Sequence, residues 1–127
     1  ASLAGCKGVA YNAIYSATKA GMIMWSDGLR QELRGTGEGI STINPGYISE
    51  AGMFHNSGQE APKLLGTSPP QAVADAVIRA IKGNKAELIV NKGPIKPLLA
   101  LNVFTPVFGD SLVRWFGVQE LSAKRVT

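Results

Sequence analysis

The sequence predicts an α/β fold built on a parallel sheet, and three observations carry that prediction. Over residues 13–34, apolar or small side chains recur with the 3.6-residue period of a helix. Residues 40–43 are short, partly β-branched and bounded by turn residues, the pattern of a strand. A second helix and strand follow over residues 71–82 and 86–91. Helix, strand, helix, strand at this spacing calls for parallel strands joined by a crossover helix. Two strands do not make such a sheet alone, because parallel sheets are covered on both faces and are rarely small. The remaining strands are therefore expected upstream of Ala1, and the chain, which starts without methionine, reads as a fragment.

Residues 1–14 are rich in Gly and Ala without a sustained period, as in a loop that follows a strand. In the first helix the predicted packing stripe is Ala17, Ala20, Gly21, Met24, Trp25, Gly28, Leu29 and Leu33. Ser26, Asp27, Arg30, Gln31 and Arg34 form its wet side. Gly35 and Gly37 end it. With Gly39 they imitate a dinucleotide-binding glycine run, but Ile40 stands where the last glycine belongs, and the stretch closes a helix where the motif opens one. It is a turn. Asn44-Pro45-Gly46 is expected to stop the first strand, since Pro45 has no N–H to give a ladder.

Residues 47–68 form a long irregular connection, a length usually tied to function. Ser68 is expected to cap the second helix, with Pro69 at its first position. That helix is expected to bury Val73, Ala74, Val77, Ile78 and Ile81. Residues 94–127 are apolar but interrupted by Pro97, Asn102, Pro106, Asp110 and Arg114, too often for a membrane span. Two roles are open for this tail. It packs against the missing half or a subunit partner, or residues 94–118 lie on a membrane with Phe104, Val107, Phe108, Leu112, Trp115 and Phe116 toward lipid. The organisation is thus residues 1–93 as the catalytic part and 94–127 as the tail.

Composition excludes several classes. One cysteine, Cys6, leaves no internal disulfide or Cys-based metal framework, and one histidine, His55, leaves no His cluster. No metal site is expected. The net charge is +4, with the basic residues scattered, so a nucleic-acid platform is not indicated. No signal peptide is visible, and the low cysteine use fits a reducing, cytoplasmic setting with or without membrane association. Tyr11, Cys6 and Trp25 are read as loop, unassigned and packing residues respectively, and two readings of His55 are open, a lid residue that touches substrate or an exposed one.

The chemistry concentrates in Tyr15-Ser16-Ala17-Thr18-Lys19. Residues at i and i+4 share a helix face, so Tyr15 and Lys19 can serve one site. A phenol ordinarily ionises near about pH 10, and a neighbouring ammonium favours the anion. Such a phenol can protonate an alkoxide or accept its proton. A serine hydroxyl, Ser2, is the candidate for holding the reacting oxygen.

Ser2-x-x-Gly5, then Tyr15 thirteen residues after the serine, then Tyr15-Ser-Ala-Thr-Lys19-Ala-Gly, resembles the active-site signature of the short-chain dehydrogenase/reductase family. The resemblance continues through Leu29-Arg30-Gln31-Glu32-Leu33, Gly39-Ile40 and Ile43-Asn44-Pro45-Gly46-Tyr47-Ile48, and covers residues 1–92. It implies the C-terminal half of a doubly wound, Rossmann-type parallel sheet. It implies an oxidoreductase that interconverts a carbonyl and an alcohol by hydride transfer with NAD or NADP. By position, Tyr15 is the general acid/base, Lys19 binds the nicotinamide ribose and tunes Tyr15, and Ser2 orients the substrate oxygen. Pro45 and Gly46 lie against the nicotinamide, Ile48 offers backbone groups to its carboxamide, and residues 50–66 are the substrate lid.

Two departures stand out. Members often carry a Thr four residues after the glycine of the Pro-Gly turn, and Glu50 stands there. The family's glycine-rich pyrophosphate turn and upstream catalytic Asn are not in this sequence, so the chain by itself is expected to be inactive. A non-catalytic scaffold of the same fold is the alternative. Met53, Phe54, Leu64 and Leu65 suggest a lipophilic substrate. The small face at Ala17, Ala20 and Gly21 would suit the homodimer or homotetramer common in the family.

Overall fold

The computed structural model describes residues 1–124. A single 3₁₀ turn, Leu3–Gly5, leads to α1 (Ala13–Glu32), β1 (Thr42–Pro45), α2 (Gly52–Asn56), α3 (Pro70–Gly83) and β2 (Glu87–Val90). Three short helices follow: α4 (Ile95–Phe104), α5 (Pro106–Trp115) and α6 (Val118–Ala123). Arg125, at the end of the predicted tail, lies outside the described residues. The α/β class holds: β1 and β2 pair in parallel, with Thr42 opposite Glu87 and Pro45 opposite Val90.

The first strand runs two residues later than expected and includes Pro45. The ladder explains why. Thr42 N–H donates to Ala86 C=O and Gly46 N–H to Val90 C=O, both at 2.9 Å. Alternate residues of a strand direct their N–H groups to opposite edges, so residue 45 faces away from β2, where a proline removes no ladder bond. On that other edge the Ala1 amino group donates to Ile43 C=O at 2.8 Å, which seats the start of the chain beside β1.

Ser68 does not cap α3. It forms a parallel bridge with Ile48, giving its N–H to Tyr47 C=O and accepting from Ser49 N–H. The helix starts one residue later, with Pro69 at the N-cap and Pro70 leading it. Its buried residues are Ala76 and Ala80, while Val77, Ile78 and Ile81 are exposed, contrary to expectation. A helix with its side chains is about 10–12 Å across, and two strands sit about 4.8 Å apart. The narrow sheet therefore covers only the small-residue strip of α3.

The same limit corrects the first helix. Its packed side is Ser16, Ala20 and Ile23, against the loop that holds Gly5, whereas Met24 is 66% and Trp25 64% exposed. Arg30, assigned to the wet side, donates to Ile40 C=O and Asn84 C=O and ties α1 to the stretch entering β1 and to the end of α3. Gly35 and Gly37, both at φ +85°, do form the expected turn.

Residues 94–124 do not extend away from the chain. Lys7 pairs with Asp110 of α5, and Gln59 Nε2 donates to Leu121 C=O of α6, so the three tail helices fold back over the loop and lid as a cap. Among the described residues no helix is long and apolar enough to cross a membrane.

Candidate active site

Ser2 is held by the backbone around it. Its extended conformation places Oγ where it accepts from Ala4 N–H at 3.2 Å, while its C=O receives Gly5 N–H. That leaves the hydroxyl proton of Ser2 available for a ligand oxygen. The spacing to Gly5 has a packing reason. A Cβ at Gly5 would sit 2.7 Å from Lys19 C and 2.9 Å from Ala20 N, so only glycine lets the loop lie directly on the α1 backbone. Ser16 adds a second tie: it is buried, and its Oγ accepts from Val9 N–H at 3.3 Å. The serine beside Tyr15 thus anchors the loop that carries Ser2.

Tyr15 and Lys19 meet as the helical spacing requires, with Lys19 Nζ 5.4 Å from the centroid of the Tyr15 ring. At this range the ammonium is attracted to the ring face. Both residues are half-buried. Pro45 ends β1 and Gly46 follows it directly, and Gly46 is in close quarters: a Cβ there would clash with Asn91 Oδ1 and come 3.1 Å from Leu3 Cδ1.

Ser2, Tyr15, Pro45 and Gly46 line one cavity of about 190 Å³. Met53, Phe54 and Leu65 of the lid region share its wall, but Leu64 does not and is half exposed. Lys19 and Ile48 are not on that wall. Lys19 reaches the site through the Tyr15 ring. The Ile48 bridge uses Tyr47 C=O and Ser49 N–H, so the N–H and C=O of Ile48 itself stand outside it. Glu50, at the divergent position, is exposed and has a left-handed backbone at φ +67°.

The rest of the wall was not foreseen. Leu98 and Leu99 of α4, Leu112, Val113 and Phe116 of the α5 end, and Leu121 of α6 close the cavity. Leu112 and Phe116 therefore turn inward, whereas Phe104, Val107, Phe108 and Trp115 remain on the outer surface. The apolar stripe of the tail was legible; that part of it faces the cavity lined by Ser2 and Tyr15 of its own chain was not. Lys7 and Asn12, neither singled out from sequence, also line the cavity.

Beneath β1, Asn44 is fully buried and its Nδ2 donates to Glu87 Oε1 and, at 3.6 Å, to Cys6 Sγ. Burial, then the neighbouring Glu87 carboxylate, push the Cys6 thiol up to about 11. His55 is exposed and off the cavity wall. Among the described residues no cluster of His, Cys, Asp or Glu is arranged to hold a metal ion.

A serine, a tyrosine with a lysine against its ring, and a Pro-Gly turn thus gather around one cavity. The chain belongs to the short-chain dehydrogenase/reductase family: residues 1–62 match the family described as short chain dehydrogenase. It is 52% identical over 130 residues to a ketoacyl reductase, HetN, of Nostoc sp. (strain PCC 7120 / SAG 25.82 / UTEX 2576), an alignment that covers 98% of this chain and 45% of that protein. It is 33% identical over 98 residues to the uncharacterized oxidoreductases SA2266 and SAV2478 of Staphylococcus aureus strains N315 and Mu50, covering 77% of this chain and 40% of each. The chain thus spans less than half the length of these curated relatives. No solved structure matches it.

Proposed function

We propose that the complete protein interconverts a carbonyl and an alcohol by hydride transfer with NAD or NADP, using Tyr15 as general acid/base. The observation that carries this reading is the shared cavity: Ser2 and Tyr15 line it together, and Lys19 lies 5.4 Å from the Tyr15 ring. The Ser2 hydroxyl donates to the reacting oxygen and holds it at the Tyr15 end. Tyr15 Oη gives that oxygen a proton in the reducing direction and takes it back in the other. Lys19 keeps the Tyr15 ring in place through its ammonium against the ring.

The residues present suit a nicotinamide cofactor. Gly46 lines the cavity without a side chain of its own, and the N–H and C=O of Ile48 are not taken by the Ser68 bridge. Pro45, Gly46 and Ile48 would hold the nicotinamide end, and Lys19 its ribose. When bound, the cofactor supplies or accepts the hydride. The half of the Rossmann-type sheet that would hold the pyrophosphate fits the free edge of β1, where Ala1 already sits. The exposed Ile14, Met22, Met24 and Trp25 of α1 suit packing against that half or a second subunit in a homodimer or homotetramer. The likeness to a ketoacyl reductase favours a 3-oxoacyl or related lipophilic carbonyl compound as substrate.

In the complete protein, Tyr15→Phe is expected to lower turnover by about 10²–10⁴-fold and leave thermal melting unchanged. Undiminished turnover in that variant overturns the mechanism.

A further inference from the structure

Helices α4 and α5 are apolar on their outer side as well as on the side that faces the cavity. On that outer side Val103 is 74%, Phe104 83%, Val107 76% and Trp115 78% exposed. A helix in water ordinarily keeps a polar face toward solvent, and one that is apolar all round belongs in a core or in lipid. Thr105 ends α4 and begins α5, so Val103, Phe104, Val107 and Phe108 stand on either side of one bend. From Pro97 to Gly109 there is no charged residue. Charge resumes on both flanks of this tip, and it is basic. Lys92, Lys96 and Arg114 are exposed, while Asp110, the one acid of the two helices, is paired with Lys7. At ten residues each, the helices are about 15 Å long, half the thickness of a hydrocarbon core. That length suits lying in a bilayer surface and not crossing it.

We propose that the tip between α4 and α5 docks the complete protein on an anionic lipid bilayer. Phe104, Val107 and Phe108 enter the interface, and Lys96 and Arg114 meet the phosphate headgroups. The two halves of the surface complement the two layers of the membrane: apolar side chains take the acyl boundary, and the flanking cations take the negative surface. An apolar protein partner would match the tip but give no reason for the cations beside it. The proposal stands apart from the reading of Ser2 and Tyr15, since neither Phe104 nor Val107 lines their cavity.

The test is flotation of the complete protein with vesicles of phosphatidylcholine and phosphatidylglycerol in about equal parts. Wild type should float with them, and its partition onto phosphatidylcholine alone should be at least about tenfold weaker. Phe104→Ser combined with Val107→Ser should lower partition onto the mixed vesicles at least about tenfold, with thermal melting unchanged. Lys96→Gln should lower it about fivefold on the mixed vesicles and leave partition onto phosphatidylcholine as it was. Ile81→Ser changes a side chain that is 74% exposed on α3, away from the tip, and should float like wild type.

Wild type that stays in the soluble fraction overturns the proposal, as does a double variant that floats as well as wild type. Where wild type does not float, the double variant says what covers the tip instead. A fall in melting of about 4 °C or more would assign it to packing against the upstream half, and a smaller assembly on gel filtration would assign it to a second copy of the chain. An Ile81→Ser variant that loses flotation as deeply as the double variant also overturns the proposal, because the tip would then have no special part in it.

Discussion

Lys7 Nζ and Asp110 Oδ1 meet at 2.5 Å across 103 residues of sequence, joining the loop that carries Ser2 to the helix that closes the cavity over it. The hydrogen bond from Lys7, then its charge, hold the Asp110 carboxyl below its ordinary value of 3.8. A carboxyl depressed in the folded state contributes above its unfolded value and loses that contribution as pH falls through its folded value. The pair is exposed on the Asp110 side and screened, so its effect is local. Hydrogen exchange of α5 and α6, relative to the intrinsic amide rate at each pH, should therefore rise below about pH 4 in the wild type. In Asp110→Asn it should be raised at neutral pH and lack that acid step, with global melting nearly unchanged. Equal exchange in the two proteins at neutral pH would show that the pair does not hold the cap.

Gly5→Ala places a methyl group against the main chain of α1, at Lys19 and Ala20, where no side-chain rotation relieves it. The expected cost is about 1–3 kcal/mol, seen as a lower denaturant midpoint. Because the relief is to lift the loop that carries Ser2, activity should fall further than stability alone explains.

Cys6 is shielded by burial and by Glu87, and its thiol is pushed up to about 11. At pH 8 the folded protein should be alkylated by iodoacetamide about a hundredfold more slowly than the unfolded chain. An acid raised in the folded state contributes stability below its unfolded value of 9.0 and loses it as pH rises through about 11. Cys6→Ser should therefore flatten the loss of stability between these pH values. Fast modification of the native protein at pH 8 would contradict the burial.

Lys19 touches the site through the Tyr15 ring and not through the cavity wall. Lys19→Met should lower kcat by about 10²-fold or more, since the cation that holds the Tyr15 ring is gone. Lys19→Arg should restore part of the rate. A raised cofactor KM with kcat unchanged would assign Lys19 to cofactor binding alone.

Local pattern made the candidate site residues legible. Tyr15 and Lys19 were readable as a pair because four residues on a helix bring two side chains to one face, whatever surrounds the helix. Ser2 and the Pro45-Gly46 turn were readable from order and spacing, and the parallel sheet from the alternation of helix and strand. Burial was less legible. Val77, Ile78 and Ile81 have the periodicity of a buried face, yet two strands leave them exposed; Trp25 fails for the same reason.

What the sequence by itself determined is the family, the α/β class and the pairing of Tyr15 with Lys19, because these depend on contacts a few residues apart. What only the tertiary structure decided is where the tail goes. Leu112 and Phe116 share an apolar stripe with Phe104, Val107, Phe108 and Trp115, and periodicity treats all six alike. Contacts distant in sequence, from Lys7 to Asp110 and from Gln59 to Leu121, turn the first two onto the Tyr15 cavity and leave the other four outside.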